Sequence, residues 1–411
     1  MRQYILILYL LVYIIVPVQA DVTASFPVRY NENTILLDDT TTWTGRMQRQ
    51  LDSLINLPLF ETTQLGLMVH DLTLGRDLFC VNHHHRMRPA SCQKVITAIT
   101  ALHHLGSNYR LKTQVMLRGE IRDSVLWGDV YVVGGMDPML SQGEVYGIAK
   151  ALHEAGIDSI SGILGLDLSF KNQNERGWGW CWDDDVTPLK PLLVDKHDKF
   201  ESEFMDALNQ AGIRGISPDR VVQETCPIGI QPFCEATHTM NDVLQRMMKK
   251  SDNYYAESLF YQLGAIGGRR NVGRKESSSY VDVLIRHIGL SPALYQIADG
   301  SGLSLYNYVT PELLVRMLAY AWGNEQIRES LYQSLPIAGV DGTLEKRMRR
   351  TAAQNNVHAK TGTVDGISSL SGYATSPEGH VLVFSIINQG VQKTSQGRDW
   401  QDKVCEVLCA P

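Results

Sequence analysis

The sequence predicts an α+β domain interrupted by a second, smaller α/β domain. Three observations predict it. A helix-period stretch and two strand-like runs open the chain; the texture changes after Gly106; and helices followed by a strand pair and a last helix close it. At 411 residues, two or three domains is the starting expectation, and no internal repeat is found.

In chain order, Thr44 to Leu57 reads as a helix, with Met47, Leu51, Leu54 and Ile55 on one face. Leu65 to His70 and Asp77 to Val81 read as strands joined by a turn at Gly75. Ser91 is expected to open a helix running to about Leu105, with Val95, Ile96, Ile99 and Leu102 at core spacing. In the middle, strands at Val130–Val133 and Ile163–Leu168 flank a helix near Val145–Ala155, and an aromatic, acidic segment follows from Gly177 to Pro191. A helix is expected near Glu203–Ala211. Helical spacing resumes at Met240, Val243, Leu244, Met247 and Met248. It breaks at Ser251-Asp252-Asn253 and continues through Ala256, Leu259, Phe260 and Leu263. Ile367–Ala374 and Val381–Ile387 form an expected hairpin across Pro377-Glu378-Gly379, and Trp400, Val404, Val407 and Leu408 mark the last helix.

The first twenty residues read as an export signal. Arg2 precedes an apolar run from Tyr4 to Val16, and Val18-Gln19-Ala20 has the small residues a signal peptidase accepts. The run is shorter than the ~20 residues that span a bilayer. Cleavage would place the mature chain in the periplasm or another extracytoplasmic compartment, with peripheral association with membrane or wall as a further expectation. The formal charge of −6 (38 Lys+Arg against 44 Asp+Glu) argues against a general nucleic-acid binder, which needs a basic stripe.

Export permits disulfides. Of the seven cysteines, Cys226 and Cys234 flank a short loop and are the best candidate pair. Cys405 and Cys409 suit helix packing instead. His83-His84-His85 reads as a polar turn rather than a metal site.

Three short motifs carry the chemistry: Ser91-Cys92-Gln93-Lys94, Ser251-Asp252-Asn253 and Lys360-Thr361-Gly362 with Thr363 after it. The first opens an apolar helix, the second interrupts a helical region, and the third enters a strand pair. Residues three apart on a helix share a face, so Lys94 can reach the Ser91 hydroxyl. Serine is a poor nucleophile until a neighbour takes its proton, and lysine does so only with a depressed pKa. Lys360 can supply a nearby cation and attract an anionic substrate. Ser251 can bridge the two lysines and pass a proton to a leaving amine, while Asn253 can orient Lys94. The Ser91 and Thr363 N–H groups are the expected oxyanion hole. Taken singly, Ser91 could equally be an N-cap, Ser251–Asn253 a turn, and Lys360–Thr363 a hairpin edge. The ordered set is what points to acyl transfer.

On these motifs the chain resembles the exported D-alanyl-D-alanine carboxypeptidase/endopeptidases, the low-molecular-mass class C penicillin-binding proteins with an inserted domain. The matching stretches are Arg88-Pro-Ala-Ser-Cys-Gln-Lys-Val-Ile-Thr-Ala98, Lys249-Lys-Ser-Asp-Asn253, Ala298-Asp-Gly-Ser-Gly-Leu-Ser304, Leu335-Pro-Ile-Ala-Gly-Val-Asp-Gly342 and His358-Ala-Lys-Thr-Gly-Thr363. Gly128-Asp129-Val130 and Gly134-Gly-Met-Asp-Pro138 match inside the insert. The resemblance implies a penicillin-recognising transpeptidase/β-lactamase-like domain, an antiparallel sheet flanked by helices, built from residues 21–105 and 236–411. Residues 106–235 would be the insert. It implies metal-free, cofactor-free acyl transfer to Ser91 from peptidoglycan stem peptides ending in D-Ala-D-Ala, with covalent inhibition by β-lactams. Lys360, Thr361 and Thr363 would hold the substrate's terminal carboxylate, with Gly362 between them as part of the substrate-binding strand.

Two departures stand out. A further nested domain of the larger members is expected to be absent after Trp182, and Leu305 stands where several relatives carry an Arg able to pair with a substrate carboxylate. The family's acidic pocket residue corresponds to Asp184 near Trp182, with Asp183 or Asp185 as alternatives. Two rivals are a β-lactamase, for which no Glu-x-x-Leu-Asn follows the Ser-Asp-Asn element, and a non-catalytic wall-binding protein, against which the intact motifs argue.

Overall fold

The computed structural model describes Asp39 and residues 41–411; the expected signal segment Met1–Ala20 lies outside the described residues. Helix α1 (Trp43–Ile55) is N-capped by Thr42, whose hydroxyl accepts the Gly45 amide. Strands β1 (Gln64–Asp71) and β2 (Arg76–Val81) follow, then helix α2 (Gln93–Leu105). The hairpin β3 (Arg110–Arg122) and β4 (Val125–Val133) leads to α3 (Gln142–Glu154), β5 (Ser159–Ile160), β6 (Leu164–Asp167), α4 (Phe200–Gln210), β7 (Val221–Gln223) and β8 (Pro232–Thr239). Helices α5 (Met240–Lys249), α6 (Asn253–Gly264), α7 (Arg274–His287), α8 (Pro311–Gly323) and α9 (Glu325–Ser334) come next. Strands β9 (His358–Val364), β10 (Ile367–Thr375) and β11 (Val381–Gln389), then helix α10 (Thr394–Cys409), complete the chain.

The first sheet runs β2-β1-β11-β10-β9 and is antiparallel throughout. Its strands are apolar on both sides. On β11, Leu382, Phe384 and Ile386 enter one core with Leu67 of β1, Met47 and Leu51 of α1, and Val404 and Leu408 of α10. Val383 and Ile387 enter the other, with α2, α6 and α8. Period-2 alternation with both faces buried forces helices onto both sides of the sheet. The second sheet, β7-β6-β4-β3-β8 with β5 beside β4, draws its strands from residues 110–239. It packs through Val115, Val130 and Leu164 against Val145 and Leu152 of α3 and Phe204 and Leu208 of α4.

Helix α2 is buried from Gln93 to Leu102 on every side, as a helix sandwiched between a sheet and other helices must be. This fact sets up the site, because any polar side chain in its first turn loses its water.

Two expectations change. Ser91 lies not in α2 but in the tight 3-10 turn Ala90–Cys92 before it, and Ala90 has a positive φ of 46°. Cys226 and Cys234 are unbridged, like all seven cysteines. Cys226 packs beside Met116 and Tyr131 on one face of the second sheet, whereas Cys234 packs with the α3/α4 core on the other, so the thiols cannot meet. Cys92, inside the first motif, faces the first sheet, where its thiol donates to the Lys360 carbonyl at 3.2 Å.

Candidate active site

The turn carrying Ser91 is wedged against the edge strand β9. Ser369 on β10 donates to the Pro89 carbonyl at 2.6 Å, and Cys92 pins the same turn to Lys360. The approach requires glycines. A Cβ at Gly362 would lie 2.2 Å from Ser369 Oγ and 2.7 Å from the Pro89 oxygen. One at Gly302, whose φ is +86°, would lie 1.8 Å from the Ala90 oxygen.

The second motif sits where α5 ends and α6 begins. Ser251 takes a φ of +58°, which breaks the helix and turns its side chain toward β9. Asp252 caps α6 by accepting the Tyr254 amide, and its other oxygen binds Lys196 at 2.9 Å and Arg246 at 3.4 Å. Asn253 therefore projects from the first turn of a helix fixed by a cap and two ion pairs.

These elements bring five predicted residues into one cluster. Lys94 Nζ lies 2.9 Å from Ser91 Oγ, 2.7 Å from Asn253 Oδ1 and 2.8 Å from the Ser301 carbonyl oxygen. Lys360 Nζ lies 2.9 Å from Ser251 Oγ and 2.7 Å from the Thr361 carbonyl oxygen. Both lysines have no exposed surface. Burial pushes Lys94 down to about 8, against the pull of the Asp299, Glu257 and Asp252 charges. Burial, and then the Lys94 charge, push Lys360 down to about 7. An amine that can shed its proton near physiological pH beside a serine hydroxyl is the chemistry of an activated nucleophile.

The loop after α7 supplies a part the sequence reading missed. The buried Asp299 carboxylate accepts from the Gly302 and Ser304 amides, Asn307 Nδ2 and Trp180 Nε1, at 2.7–2.9 Å. It thereby curls the loop so that the Ser301 carbonyl faces Lys94. Glu257, one turn beyond Asn253 on α6, accepts the Gly300 and Ser301 amides at 3.1 and 2.8 Å. Its signal in the sequence is a lone carboxylate among Ala256, Leu259 and Phe260.

The substrate-side residues are less tightly gathered. Thr361, Gly362 and Thr363 line β9 at the open edge of the sheet, with Thr363 exposed and Thr361 Oγ1 donating to Thr343 Oγ1 at 2.7 Å. Asp184 is engaged in its own turn, where Oδ2 accepts the Cys181 amide at 2.7 Å. Trp182 is 90% exposed, whereas Trp180 donates to Asp299 of the site loop and Trp178 packs against Tyr306 of the same loop. Leu305 lies beside this segment, its amide donating to the Gly179 carbonyl. Of the histidine triplet, His84 is paired with Glu312 at 2.7 Å, and among the described residues no group of three or more metal-binding side chains is arranged around a common point.

A two-faced antiparallel sheet, a buried lysine on a serine, and a serine–lysine pair across from it together define a serine acyl-transfer enzyme of the penicillin-recognising kind. The family model described as D-Ala-D-Ala carboxypeptidase 3 (S13) matches residues 47–198 and 192–410, and the chain belongs to that family. It is 26% identical over 407 residues to the D-alanyl-D-alanine carboxypeptidase DacB of Haemophilus influenzae, covering 79% of this chain and 85% of the relative. It is also 26% identical over 447 residues to the D-alanyl-D-alanine carboxypeptidase of Actinomadura sp. strain R39, covering 84% and 81%. Among solved structures, penicillin-binding protein 4 of Haemophilus influenzae superimposes with a TM-score of 0.78 at 25% identity, over 86% of this chain and 97% of that one.

Proposed function

We propose that this protein is a serine D-Ala-D-Ala carboxypeptidase acting on peptidoglycan stem peptides through an acyl-enzyme on Ser91. The observation that carries the mechanism is the 2.9 Å separation of Ser91 Oγ from the fully buried Lys94 Nζ. Neutral Lys94 takes the Ser91 proton as Oγ bonds to the carbonyl carbon between the two D-alanines. The Ser91 and Thr363 amides face the developing oxyanion. Ser251, held by Lys360, passes a proton to the leaving nitrogen, the C–N bond breaks, and terminal D-alanine departs. Water then clears the ester. Thr361, Thr363 and Lys360 meet the terminal carboxylate, and Asp184 and Trp182 flank the stem peptide.

β-Lactams present the same amide beside a carboxylate, so they acylate Ser91 and stop there. Cross-links between stem peptides carry a D-alanyl bond of the same type, which supports endopeptidase cleavage as a second activity. The apolar start of the chain supports export to the periplasm or another extracytoplasmic compartment. Residues 21–105 with 236–411 are taken as the catalytic domain and 106–235 as its insert.

The test is release of D-alanine from a synthetic peptide ending in D-Ala-D-Ala, beside the same peptide ending in L-Ala-L-Ala. Release from the first alone is expected. Folded protein that releases nothing from either contradicts the proposal.

A further inference from the structure

Two of the three oxygens facing Lys94 Nζ are controlled by α6. Asn253 offers its Oδ1 directly at 2.7 Å. The other is the Ser301 carbonyl at 2.8 Å; its own peptide is held by Asp299, whose Oδ1 accepts the Gly302 amide, and Ser301 is fixed from its N-terminal side by Glu257, whose Oε1 accepts the Gly300 and Ser301 amides. The grip is reinforced from α2, where Thr97 Oγ1 donates to the Gly300 carbonyl at 2.7 Å. Glu257 is 1% exposed. A carboxylate rarely sits so deep unless its charge or its lone pairs are needed. Glutamine would keep an acceptor oxygen and remove the charge, so the two contributions can be separated.

We propose that Glu257 is a positioning residue of the acyl-transfer centre: together with Asp299 it holds the Ser301 carbonyl toward Lys94, and as it ionises it places a negative charge near Lys94 that favours the ammonium form. The proposal rests on the Ser91–Lys94 assignment above. The charged and titratable groups facing Glu257 are Lys94 from α2, Asp299 from the site loop, Lys171 from the segment after β6 and Tyr261 on its own helix. Lys171 is itself bound to the Asn172 carbonyl and side-chain oxygens at 3.1 Å and lies over the Tyr261 ring. Lys94 is therefore the nearby cation that takes part in the chemistry. Burial and the Asp299 charge push Glu257 up to about 8, and the Glu257 charge in turn raises Lys94. The two groups titrate as a pair.

The experiment is the rate of acylation by a fluorescent penicillin from acid to mildly alkaline pH, for wild type, Glu257→Gln and Glu257→Ala. Active-site titration fixes the active fraction of each. Glu257→Gln keeps the acceptor and removes the charge. Its plateau stays within about threefold of wild type, and the rising limb moves to lower pH by about 0.5–1 unit. Glu257→Ala also frees the loop, and its plateau falls about tenfold or more. An unmoved limb in Glu257→Gln overturns the proposal, and that variant decides the matter if the alanine does not fold. Wild-type protein that is not labelled, or labelling that survives Ser91→Ala, overturns the Ser91–Lys94 assignment and the proposal with it.

Discussion

Lys360 Nζ stands 2.9 Å from Ser251 Oγ, a contact that joins the edge strand of the sheet to the break between two helices. This pair places a hydroxyl beside one of the two buried lysines of the site. Replacing Ser251 with Ala removes the hydroxyl and leaves the α6 cap, made by Asp252, intact. Acylation is expected to fall by about 10²–10⁴-fold, the usual worth of a positioned proton donor, with little change in thermal midpoint. Stopped-flow labelling with penicillin reads the rate. A wild-type rate would show that the leaving group takes its proton from elsewhere.

The lysines also leave a signature in stability. Lys360 in the folded protein is pushed down to about 7, while in the unfolded chain it titrates near ~10.4. Between these values the unfolded state binds the extra proton, so the Lys360 contribution to stability rises with pH and levels off as the pH passes the unfolded value. Comparing wild type with Lys360→Met, the wild type should gain thermal midpoint relative to the variant from pH 6.5 to 9.5. Parallel curves for the two proteins would mean that Lys360 keeps an ordinary pKa.

Gly362 tests the wedge between β9 and the nucleophile turn. A methyl group there meets Ser369 Oγ and the Pro89 oxygen inside contact distance, and neither is the free end of a long side chain. Gly362→Ala is expected to slow acylation by about 10²-fold through displacement of the turn and to cost about 1–3 kcal/mol of stability. Gly147 on α3 has open space around it, so Gly147→Ala should leave the rate alone and stabilise by about 0.5–1 kcal/mol. Equal behaviour of the two variants would contradict the packing described for Gly362.

Much of this was legible in the sequence where one periodicity dominated. The apolar spacing of α1, α2, α5, α6 and α10 and the β10–β11 hairpin stood out because each buries a regular face. Strand β3 did not. Its first half alternates buried and exposed residues, but its second half is exposed and charged, as in Arg118, Glu120 and Arg122, and local pattern reads such a ribbon as loop. The motif order located Ser91, Lys94, Ser251, Asn253 and Lys360, yet their distances and the loss of water around the lysines come from long-range packing that no short window contains. For the same reason Trp180 could not be told from Trp182, since which indole turns inward is decided by Asp299, more than a hundred residues away. The spacing of Cys226 and Cys234 suggested a bridge because spacing carries no information on which face of a sheet a side chain takes.

That last point has a direct check. All seven cysteines are free in the structure. Alkylation in denaturant without reductant should add seven labels, read as an intact mass. Five labels would mean one disulfide, and a Cys226–Cys234 bridge would require the strand carrying Cys234 to be rebuilt.

The most direct measurement of the central claim, that Ser91 is the nucleophile activated by Lys94, is intact mass after penicillin exposure of wild type, Ser91→Ala and Lys94→Ala. The account predicts one covalent adduct on wild type, none on Ser91→Ala, and an adduct on Lys94→Ala that forms slower by about 10²–10⁴-fold. An adduct that persists on Ser91→Ala, or one that forms on Lys94→Ala at the wild-type rate, would contradict it.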